Sequence, residues 1–279
     1  MIGHGEARGA ITIVNAIAAG KGCAVGVDLR TWAEVELLPG KGTEVEMEGL
    51  PGEPADLAAM CASAVMDRFS IARRAVIRTR SQIPVSRGLK SSSAAANAVI
   101  LATLDALGEK MDDLEILRLN ADVSIRAGAS VTGAMDDAAA SLLGGVVYTD
   151  NGARVLLRRD EWTLCDRVVI HVPERMIRKG SLPRARIALY RPLVEKAFQL
   201  AWEGEHAKAM MLNALCYGAA LGLDQEMAVR AMEAGSLAAG LSGTGPAVAA
   251  LVSREDERKV AESLGPGALT VDVFQGEIS

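Results

Sequence analysis

The sequence predicts an α+β fold of two closely joined lobes. Its 279 residues are 50% hydrophobic and 23% charged, a balance typical of a chain that buries a large core. Strand patterns dominate the start of the chain, and helical patterns combined with further strands follow. This separation of strands and helices is typical of α+β proteins. The sequence contains no repeat or low-complexity linker. We therefore predict a boundary near residues 155–165, between an N-terminal lobe of residues 1–160 and a C-terminal lobe of residues 161–279.

The N-terminal lobe begins with strands. Residues 10–17 and 22–28 are apolar and rich in β-branched side chains, and they predict two strands around a tight turn. Residues 31–37 and 43–48 then alternate apolar and acidic side chains. Because Pro39–Gly42 separates these two segments, we expect an antiparallel hairpin with one face in solvent.

The later elements follow from helical spacing and from start and stop signals. The helix that begins at Ser91 should stop at Gly108, and Asp112 with Glu115 forms a capping signal for the next helix. Helices are predicted at 54–69, 91–107, 112–128, 136–143, 183–202, 205–221, 224–233 and 254–263. Strands are predicted at 74–79, 146–149, 153–157, 167–172, 247–252 and 269–274, with a glycine-rich loop at 240–246.

Composition argues against several classes of protein. Thirty basic and thirty-five acidic residues leave a net charge of −5, and only 3% of residues are aromatic, so a nucleic-acid surface would lack both charge and stacking side chains. The four cysteines are widely scattered, which argues against a zinc site or a disulfide framework. No apolar run in the sequence reaches the roughly 18 residues of a membrane span. We expect a cytoplasmic protein without nucleic-acid or membrane partners.

A polar loop that runs directly into a helix is the strongest candidate for a binding site. Gly88 allows close approach of the backbone, Lys90 adds a cation, and three serines add hydroxyl groups at a helix N-terminus, where anions bind well. A serine cap on an alanine-rich helix is the simpler alternative, but the ordered pattern P-x-x-x-G-L-x-S-S favours a phosphate group. The loop consists of Pro84, Val85, Ser86, Arg87, Gly88, Leu89, Lys90, Ser91, Ser92, Ser93 and Ala94.

This serine loop resembles the nucleotide-binding motif of the GHMP kinases, the superfamily of galactokinase, homoserine kinase and mevalonate kinase. Residues Leu241–Pro246, which include Gly243 and Gly245, resemble the glycine-rich third motif of that superfamily. Residues Thr132–Ala138 resemble the stretch that carries its catalytic aspartate. The three motifs occur in family order across nearly the whole chain, and the chain is identified as a member of the superfamily.

Within the superfamily the chain most resembles the archaeal shikimate kinases. The shared features are Gly9–Ala16 followed by Gly20–Gly22, Ser86–Ser93, and Thr132-Gly133 before two aspartates. The resemblance implies that ATP, with Mg²⁺, phosphorylates the 3-hydroxyl of shikimate on the path to chorismate. It also implies a ribosomal-protein-like N-terminal lobe that binds the nucleotide and a ferredoxin-like C-terminal lobe on the substrate side.

The resemblance also assigns roles to single residues. Asp136 and Asp137 both qualify as the base that accepts the proton of the substrate hydroxyl. Counting back from Gly144 favours Asp137 and leaves Asp136 for helix capping or metal contact. Ser92 occupies the position of the family's metal ligand. The first motif lacks the lysine that lies near the transferred phosphate in other members, and counting along this motif puts Arg8 in its place.

Two parts of the site have only candidate residues. The glutamate that shares magnesium in mevalonate kinases has no match in register, because Asp122 is offset by one residue. The carboxylate of shikimate requires a cation, and a planar arginine suits it well. Five basic residues follow the predicted strand at 167–172, namely Arg175, Arg178, Lys179, Arg184 and Arg186.

Three alternative functions remain open at this point. A kinase of the same superfamily could act on another small alcohol, such as homoserine or mevalonate. A catalytically silent nucleotide-binding protein is a second possibility, against which Asp137 and the intact serine loop argue. An RNA-binding module is suggested only by the ribosomal-protein-like lobe, and the acidic net charge opposes it.

Overall fold

The computed structural model describes residues 1–49, 54–174 and 182–276. Within these ranges the chain forms ten strands and nine helices. The strands are β1 (Ile2–Val14), β2 (Lys21–Leu38), β3 (Thr43–Met47), β4 (Arg74–Ser81), β5 (Val146–Asp150), β6 (Val155–Asp160), β7 (Arg167–His171), β8 (Ala238–Leu241), β9 (Val248–Val252) and β10 (Leu269–Asp272). The helices are α1 (Asp56–Arg68), α2 (Ser91–Leu107), α3 (Asp113–Arg126), α4 (Met135–Leu143), α5 (Arg184–Ala188), α6 (Arg191–Trp202), α7 (His206–Leu221), α8 (Glu226–Glu233) and α9 (Glu257–Leu264).

The first sheet contains the six strands of the N-terminal half and is built around the long strand β2. One edge of β2 pairs antiparallel with β1, from Ile2 to Val14. Its other edge is divided, because residues 31–38 pair with β4 whereas residues 21–25 pair with β5. The strand order is therefore β3-β4-β2-β5-β6, and β1 pairs with the edge of β2 that neither β4 nor β5 occupies.

The predicted hairpin of residues 31–37 and 43–48 is wrong. Residues 31–37 are the second half of the continuous strand β2, and β3 pairs in parallel with β4 instead. A parallel pair needs a crossover connection, and α1 between β3 and β4 supplies it. The alternation of Glu44 and Glu46 with apolar residues correctly predicts a strand with one face in solvent, but such a pattern does not specify the strand's partner.

The second sheet has the order β10-β7-β9-β8, and all three neighbouring pairs are antiparallel. Helices α5–α8 lie between β7 and β8 in the chain, and α9 lies between β9 and β10. This is the β-α-β-β-α-β arrangement of the expected ferredoxin-like lobe. Strand β8 was not predicted, because its sequence Ala-Ala-Gly-Leu lacks the β-branched residues that mark strands.

Helix α2 packs closely on β1 and thereby positions the serine loop. It spans the predicted residues and ends at Gly108, which has φ 70°. A side-chain Cβ at Gly5 of β1 would overlap the carbonyl oxygen of Ala98 in α2. The alanines of α2 and the glycines of β1 therefore let the two backbones approach directly, and this contact brings the start of α2 to the end of β1.

The chain segment after β10 joins the two halves. Val273 forms a bridge with Val27 of β2, and the amide of Phe274 donates to the carbonyl oxygen of Gly26 at 2.9 Å. The amide of Gly145, after the last turn of α4, donates to the carbonyl oxygen of Phe274 at 2.8 Å. The C-terminal segment thus holds the end of α4, the helix with the two aspartates.

The predicted start of α3 is confirmed. Asp112 and Glu115 form the predicted capping box at the start of α3. The apolar faces of both sheets merge into one large buried cluster, and a smaller cluster surrounds α4. Among the helices of the described ranges, none combines the length and the hydropathy needed to cross a membrane.

Candidate active site

A cavity of about 420 Å³ lies where the serine loop, the start of α4 and the glycine-rich loop meet. Both halves of the chain contribute to its walls, because Gly243–Gly245 belong to the second half. The lining also contains the turn after β1, the start of α1 and the segment before α4. Among the described residues that line the cavity, Lys90 is the one cation.

The serine loop divides into residues that line the cavity and residues that support them. Seven of its predicted members belong to the lining: Val85, Ser86, Gly88, Lys90, Ser91, Ser92 and Ser93. The other four, Pro84, Arg87, Leu89 and Ala94, lie outside the lining. Leu89 and Ala94 are fully buried in the core, so they anchor the loop.

Helix α2 begins at the cavity from a strained residue. The N-cap residue of α2, Lys90, has φ 67°. This left-handed conformation costs a non-glycine residue roughly 1–2 kcal/mol. Within the described part of the chain, no side chain caps this helix. The N–H groups of its first turn lack acceptors inside the helix, and the positive end of the helix dipole lies here. Ser91–Ser93 therefore form a wall suited to an anion.

The second helix at the cavity, α4, carries a buried ion pair. The Nζ atom of Lys90 lies 2.7 Å from Oδ1 of Asp137, in the first turn of α4. The two side chains are only 5% and 10% exposed. Removing one partner of such a pair leaves an uncompensated buried charge, so the two residues act as a unit.

Asp136 has a different environment from its neighbour. Its Oδ1 accepts a hydrogen bond of 2.8 Å from Nδ2 of Asn151. Burial and the negative charge of Asp137 raise the pKa of Asp136 to about 6, although Lys90 and the Asn151 hydrogen bond oppose this rise. The structure does not show Asp136 as a cap. The N-cap residue of α4 is Ala134, and no side chain in the described ranges caps this helix.

The glycine-rich loop docks directly onto the serine loop. Ser242 donates from its hydroxyl to the carbonyl oxygen of Gly88 at 2.8 Å, and the amide of Ala247 donates to the carbonyl oxygen of Arg87 at 3.0 Å. Gly88 has φ 90°, and a Cβ there would overlap the carbonyl oxygen of Ser242. Gly88 was expected to admit a phosphate, and the structure shows that it must also admit the neighbouring loop.

Two polar residues at the end of β1 connect these loops, and the sequence did not identify them. The hydroxyl of Thr12 accepts hydrogen bonds from Nζ of Lys90 at 2.6 Å and from the amide of Gly243 at 2.8 Å. Nδ2 of Asn15 donates to the carbonyl oxygen of Gly243 at 2.9 Å. The available signal was that these two polar side chains interrupt an otherwise apolar strand.

Helix α7 fixes the turn that follows β1. Oδ1 of Asn213 accepts from the amide of Asn15 at 2.9 Å. The hydroxyl of Tyr217, one helical turn further on, donates to the carbonyl oxygen of Asn15 at 3.0 Å and accepts from the amide of Ala18 at 2.9 Å. The C-terminal half therefore sets the position of Asn15–Ile17, which line the cavity.

The structure places Arg8 outside the cavity lining. Its guanidinium pairs with Glu6 and, at 2.8 Å, with Asp28, and it lies 5.0 Å from the centre of the Phe274 ring. These partners hold the Arg8 side chain beside the C-terminal segment that carries Phe274. The cation that reaches the aspartates is Lys90 of the serine loop, and not the residue selected by counting along the first motif.

Of the candidates for the remaining charges, those that the structure describes do not line the cavity. Arg184 is exposed, and Arg186 donates to the carbonyl oxygen of Ala219 at 2.6 Å, so both lie outside the lining. Asp122 forms an exposed ion pair of 3.2 Å with Arg154. The other three basic candidates lie outside the described residues: Arg175, Arg178 and Lys179.

The chain is similar to known proteins along most of its length. Residues 56–145 match the family model of the GHMP kinases N terminal domain, and residues 197–267 match that of the GHMP kinases C terminal domain. The shikimate kinase of Methanothrix thermoacetophila is 46% identical over 268 residues, which cover 95% of this chain and 91% of that protein. The shikimate kinase of Methanosarcina acetivorans is 46% identical over 92% of this chain and 87% of that protein.

Solved structures show the same fold at lower identity. The homoserine kinase of Cytophaga hutchinsonii superimposes with a TM-score of 0.73 at 19% identity, over 99% of this chain and 96% of that one. The mevalonate kinase of Methanococcus jannaschii superimposes with a TM-score of 0.77 at 14% identity, over 99% and 98%. The two-lobed architecture predicted from the motifs is thereby confirmed.

Proposed function

The chain belongs to the GHMP kinase family, and on that premise we propose that it transfers the γ-phosphoryl group of ATP to the 3-hydroxyl of shikimate. Membership of the family supports ATP as the donor. Archaeal relatives named shikimate kinase, similar over most of both chains, support the acceptor. The observation that carries the chemistry is the buried pair of Lys90 and Asp137, at the point where α2 and α4 begin, neither of them capped by a side chain of the described residues.

The phosphates of ATP bind along the serine loop in this proposal. The first-turn N–H groups of α2 and the hydroxyls of Ser91 and Ser92 offer donors to phosphate oxygens. Gly243 and Gly245 line the cavity beside the serine loop, where the absence of side chains leaves the backbone accessible. Phosphoryl transfer depends mainly on positioning and charge stabilisation, and this arrangement offers both.

Asp137 acts as the base. The hydroxyl of the acceptor gives its proton to a carboxylate oxygen of Asp137 while its oxygen bonds to the γ-phosphorus and the bond to the leaving ADP oxygen breaks. The ammonium of Lys90, held beside the same carboxylate, stabilises the negative charge of the group in transfer. Asp136 supports this geometry from the adjacent position, held by Asn151.

The oxygen atoms at the cavity suit Mg²⁺. Ser92, Asp136 and Asp137 all line it, and hydroxyl and carboxylate oxygens are ligands that this ion accepts. No group of three or more His, Cys, Asp or Glu residues in the described ranges could hold a metal by itself, which fits an ion shared with nucleotide phosphates. When bound, Mg²⁺ supplies neutralisation of phosphate charge, and Ser92 is the residue that we propose as its ligand.

The proposal extends to the organisation of the chain. The strands of the first sheet end at Asp160 and those of the second begin at Arg167, which supports a nucleotide-binding lobe of residues 1–160 and a substrate-side lobe of residues 161–279. The glycine-rich loop of the second lobe closes the nucleotide site. All four cysteines are free and buried, which supports the reducing cytoplasm as the compartment.

A kinase for another small alcohol is the competing proposal. Homoserine kinase and mevalonate kinase share the fold, but identities of 14% to 19% do not carry a substrate from those proteins to this one. The much higher identity to the archaeal shikimate kinases favours shikimate. The cavity residues hold the donor and deprotonate the acceptor hydroxyl, and neither role distinguishes one small alcohol from another.

An ADP-release assay on the purified chain tests the proposal. Shikimate, homoserine and mevalonate are offered separately with Mg²⁺ and ATP, and the phosphorylated product is identified by mass and by NMR. We expect turnover with shikimate and a product phosphorylated at the 3-hydroxyl. Turnover with homoserine or mevalonate and none with shikimate would show that the acceptor is not shikimate. ATP binding without turnover on any of the three alcohols would support a silent nucleotide-binding protein.

A further inference from the structure

Thr12 lies behind the cavity and contacts three segments that are far apart in the chain. It is fully buried in β1, opposite Ala24 of β2, and lies outside the cavity lining. Its hydroxyl oxygen accepts from Lys90 in the serine loop, 78 residues away, and from the amide of Gly243 in the glycine-rich loop, 231 residues away. Its own amide donates weakly to the hydroxyl of Ser242 at 3.4 Å.

The two hydrogen bonds use the full accepting capacity of the hydroxyl. A threonine oxygen has two lone pairs, and the donors from Lys90 and Gly243 occupy both. The bond from the ammonium is charge-assisted, and such bonds are shorter and roughly twice as strong as those between neutral groups. Thr12 is therefore a specific acceptor for the lysine and not merely a neighbour that fills space.

Lys90 needs such an anchor because of where its side chain begins. Its left-handed backbone starts α2, yet its Nζ reaches back to both Thr12 and Asp137 and is almost completely buried. One ion pair fixes a distance from the carboxylate but leaves a long, flexible side chain free to turn about it. A second, neutral acceptor on the rigid sheet fixes the direction as well. Strained conformations of this kind persist where the surroundings determine them, often at functional sites.

We infer that Thr12 is a positioning residue for phosphoryl transfer, which holds the ammonium of Lys90 at Asp137 and docks the glycine-rich loop against the same point. The inference rests on the proposed function, in which Lys90 stabilises the transferred group. Thr12 lies outside the cavity lining and acts only through Lys90 and Gly243. A small displacement of a charged group in an active site is enough to slow the reaction strongly, because the group is then no longer aligned with the charge that develops.

Three substitutions separate this role from general packing. Thr12→Val keeps the shape of the side chain and removes the acceptor, whereas Thr12→Ser keeps the acceptor. Thr31→Val is the matched control, because Thr31 is also a buried strand threonine of the first sheet and its hydroxyl lies 2.7 Å from that of Ser81. We expect Thr12→Val to lower kcat by about 10- to 100-fold, the size of a lost hydrogen bond to a charged group. Thr12→Ser should restore most of kcat, and Thr31→Val should leave it close to that of the unmodified protein.

A double-mutant cycle with Lys90→Met gives the readout that a purely structural role would not affect. If Thr12 acts through Lys90, Thr12→Val has little further effect on kcat once Lys90 is Met. Equal loss of kcat in both backgrounds would overturn the inference, and so would a Thr12→Val variant with unchanged kcat. Failure of Thr12→Ser to restore activity while it remains folded would show that the methyl group, and not the hydroxyl, is required, which would also overturn it.

The same four chains are compared for their free energy of unfolding in urea. Coupling between the two substitutions supports the Thr12–Lys90 contact, and strict additivity contradicts it. This second cycle requires no substrate. If the unmodified chain does not phosphorylate shikimate, the proposed function fails while the anchoring of Lys90 by Thr12 is still decided by the unfolding cycle.

Discussion

The ammonium of Lys90 lies 2.7 Å from Oδ1 of Asp137, so the pair joins the residue just before α2 to the first turn of α4. The ion pair joins the serine loop to the helix with the two aspartates, and Lys90 and both aspartates line the cavity. In the proposed function, this lysine of the serine loop supplies the positive charge beside the aspartate.

Lys90→Met should abolish most of the activity. The substitution removes the one cation in the described lining and leaves Asp137 as an unpaired buried charge. We expect kcat to fall by about 10²- to 10³-fold, as for loss of one preorganised group that stabilises the transition state. Steady-state kinetics on Lys90→Met and Arg8→Met measures this effect. If the cation were Arg8, as the motif spacing predicts, Arg8→Met would lose kcat and Lys90→Met would retain it.

Asp137→Asn should reduce turnover without preventing binding. The variant keeps the size of the side chain but loses the proton acceptor, and general-base assistance is worth about 10²- to 10⁴-fold. We expect calorimetric binding of ATP to persist and kcat to fall within this range. Asp136→Asn should have the smaller effect on kcat, because Asn can still accept the hydrogen bond from Asn151. The reverse order of the two losses would make Asp136 the base.

The stability of the protein should depend on pH through Asp136. Its pKa in the folded chain is raised from 3.8 to about 6, so the folded state binds this proton more tightly than the unfolded state does. The free energy of unfolding therefore decreases as pH rises from 3.8 to about 6, and the penalty remains at higher pH. Asp136→Asn should remove this dependence and raise stability at neutral pH by on the order of 1–3 kcal/mol. Urea unfolding of both chains across this pH range measures the effect. The same pH dependence of the unfolding free energy in the unmodified chain and in Asp136→Asn would contradict the assignment.

Ser92→Ala should weaken the use of MgATP. Ser92 occupies the proposed metal position at the start of α2 and lines the cavity. We expect the KM for MgATP to rise about tenfold, comparable to loss of one hydrogen bond to a charged group, with a higher Mg²⁺ requirement. The KM for shikimate should change less. Ser91→Ala is the control from the same turn, and equal effects of both substitutions on the Mg²⁺ requirement would argue against Ser92 as the ligand.

Gly88→Ala should separate the serine loop from the glycine-rich loop. A Cβ at this position overlaps the carbonyl oxygen of Ser242, and φ is positive as well. Gly20→Ala is the matched control, because Gly20 also has a positive φ, but its Cβ would meet no atom within 4 Å. We expect Gly88→Ala to lose about 1–3 kcal/mol of stability and to bind ATP more weakly, as for other changes that force packed backbone apart. If Gly88→Ala and Gly20→Ala lose the same free energy of unfolding and bind ATP equally well, the strain of the positive φ, and not the overlap with Ser242, causes the loss.

Local patterns predicted much of this protein correctly. The bounds of α2, the capping box of α3 and the solvent-facing side of β3 all follow from signals within a few residues of one another. The three motifs identified the family and the serine loop, because the backbone geometry that accepts a phosphate needs particular residue types in a fixed order. That information lies along the chain, and no tertiary contact is required to recognise it.

The tertiary structure alone decided which groups meet. The partner of β3 depends on where α1 packs, and the cation at Asp137 depends on the direction that the left-handed backbone gives to Lys90. Thr12 and Gly243 are 231 residues apart, and their hydrogen bond exists only because the two halves fold against each other. Counting along a motif measures distance in the chain, whereas charge and hydrogen bonding depend on distance in space, which is why Arg8 was selected and Lys90 lies at the site.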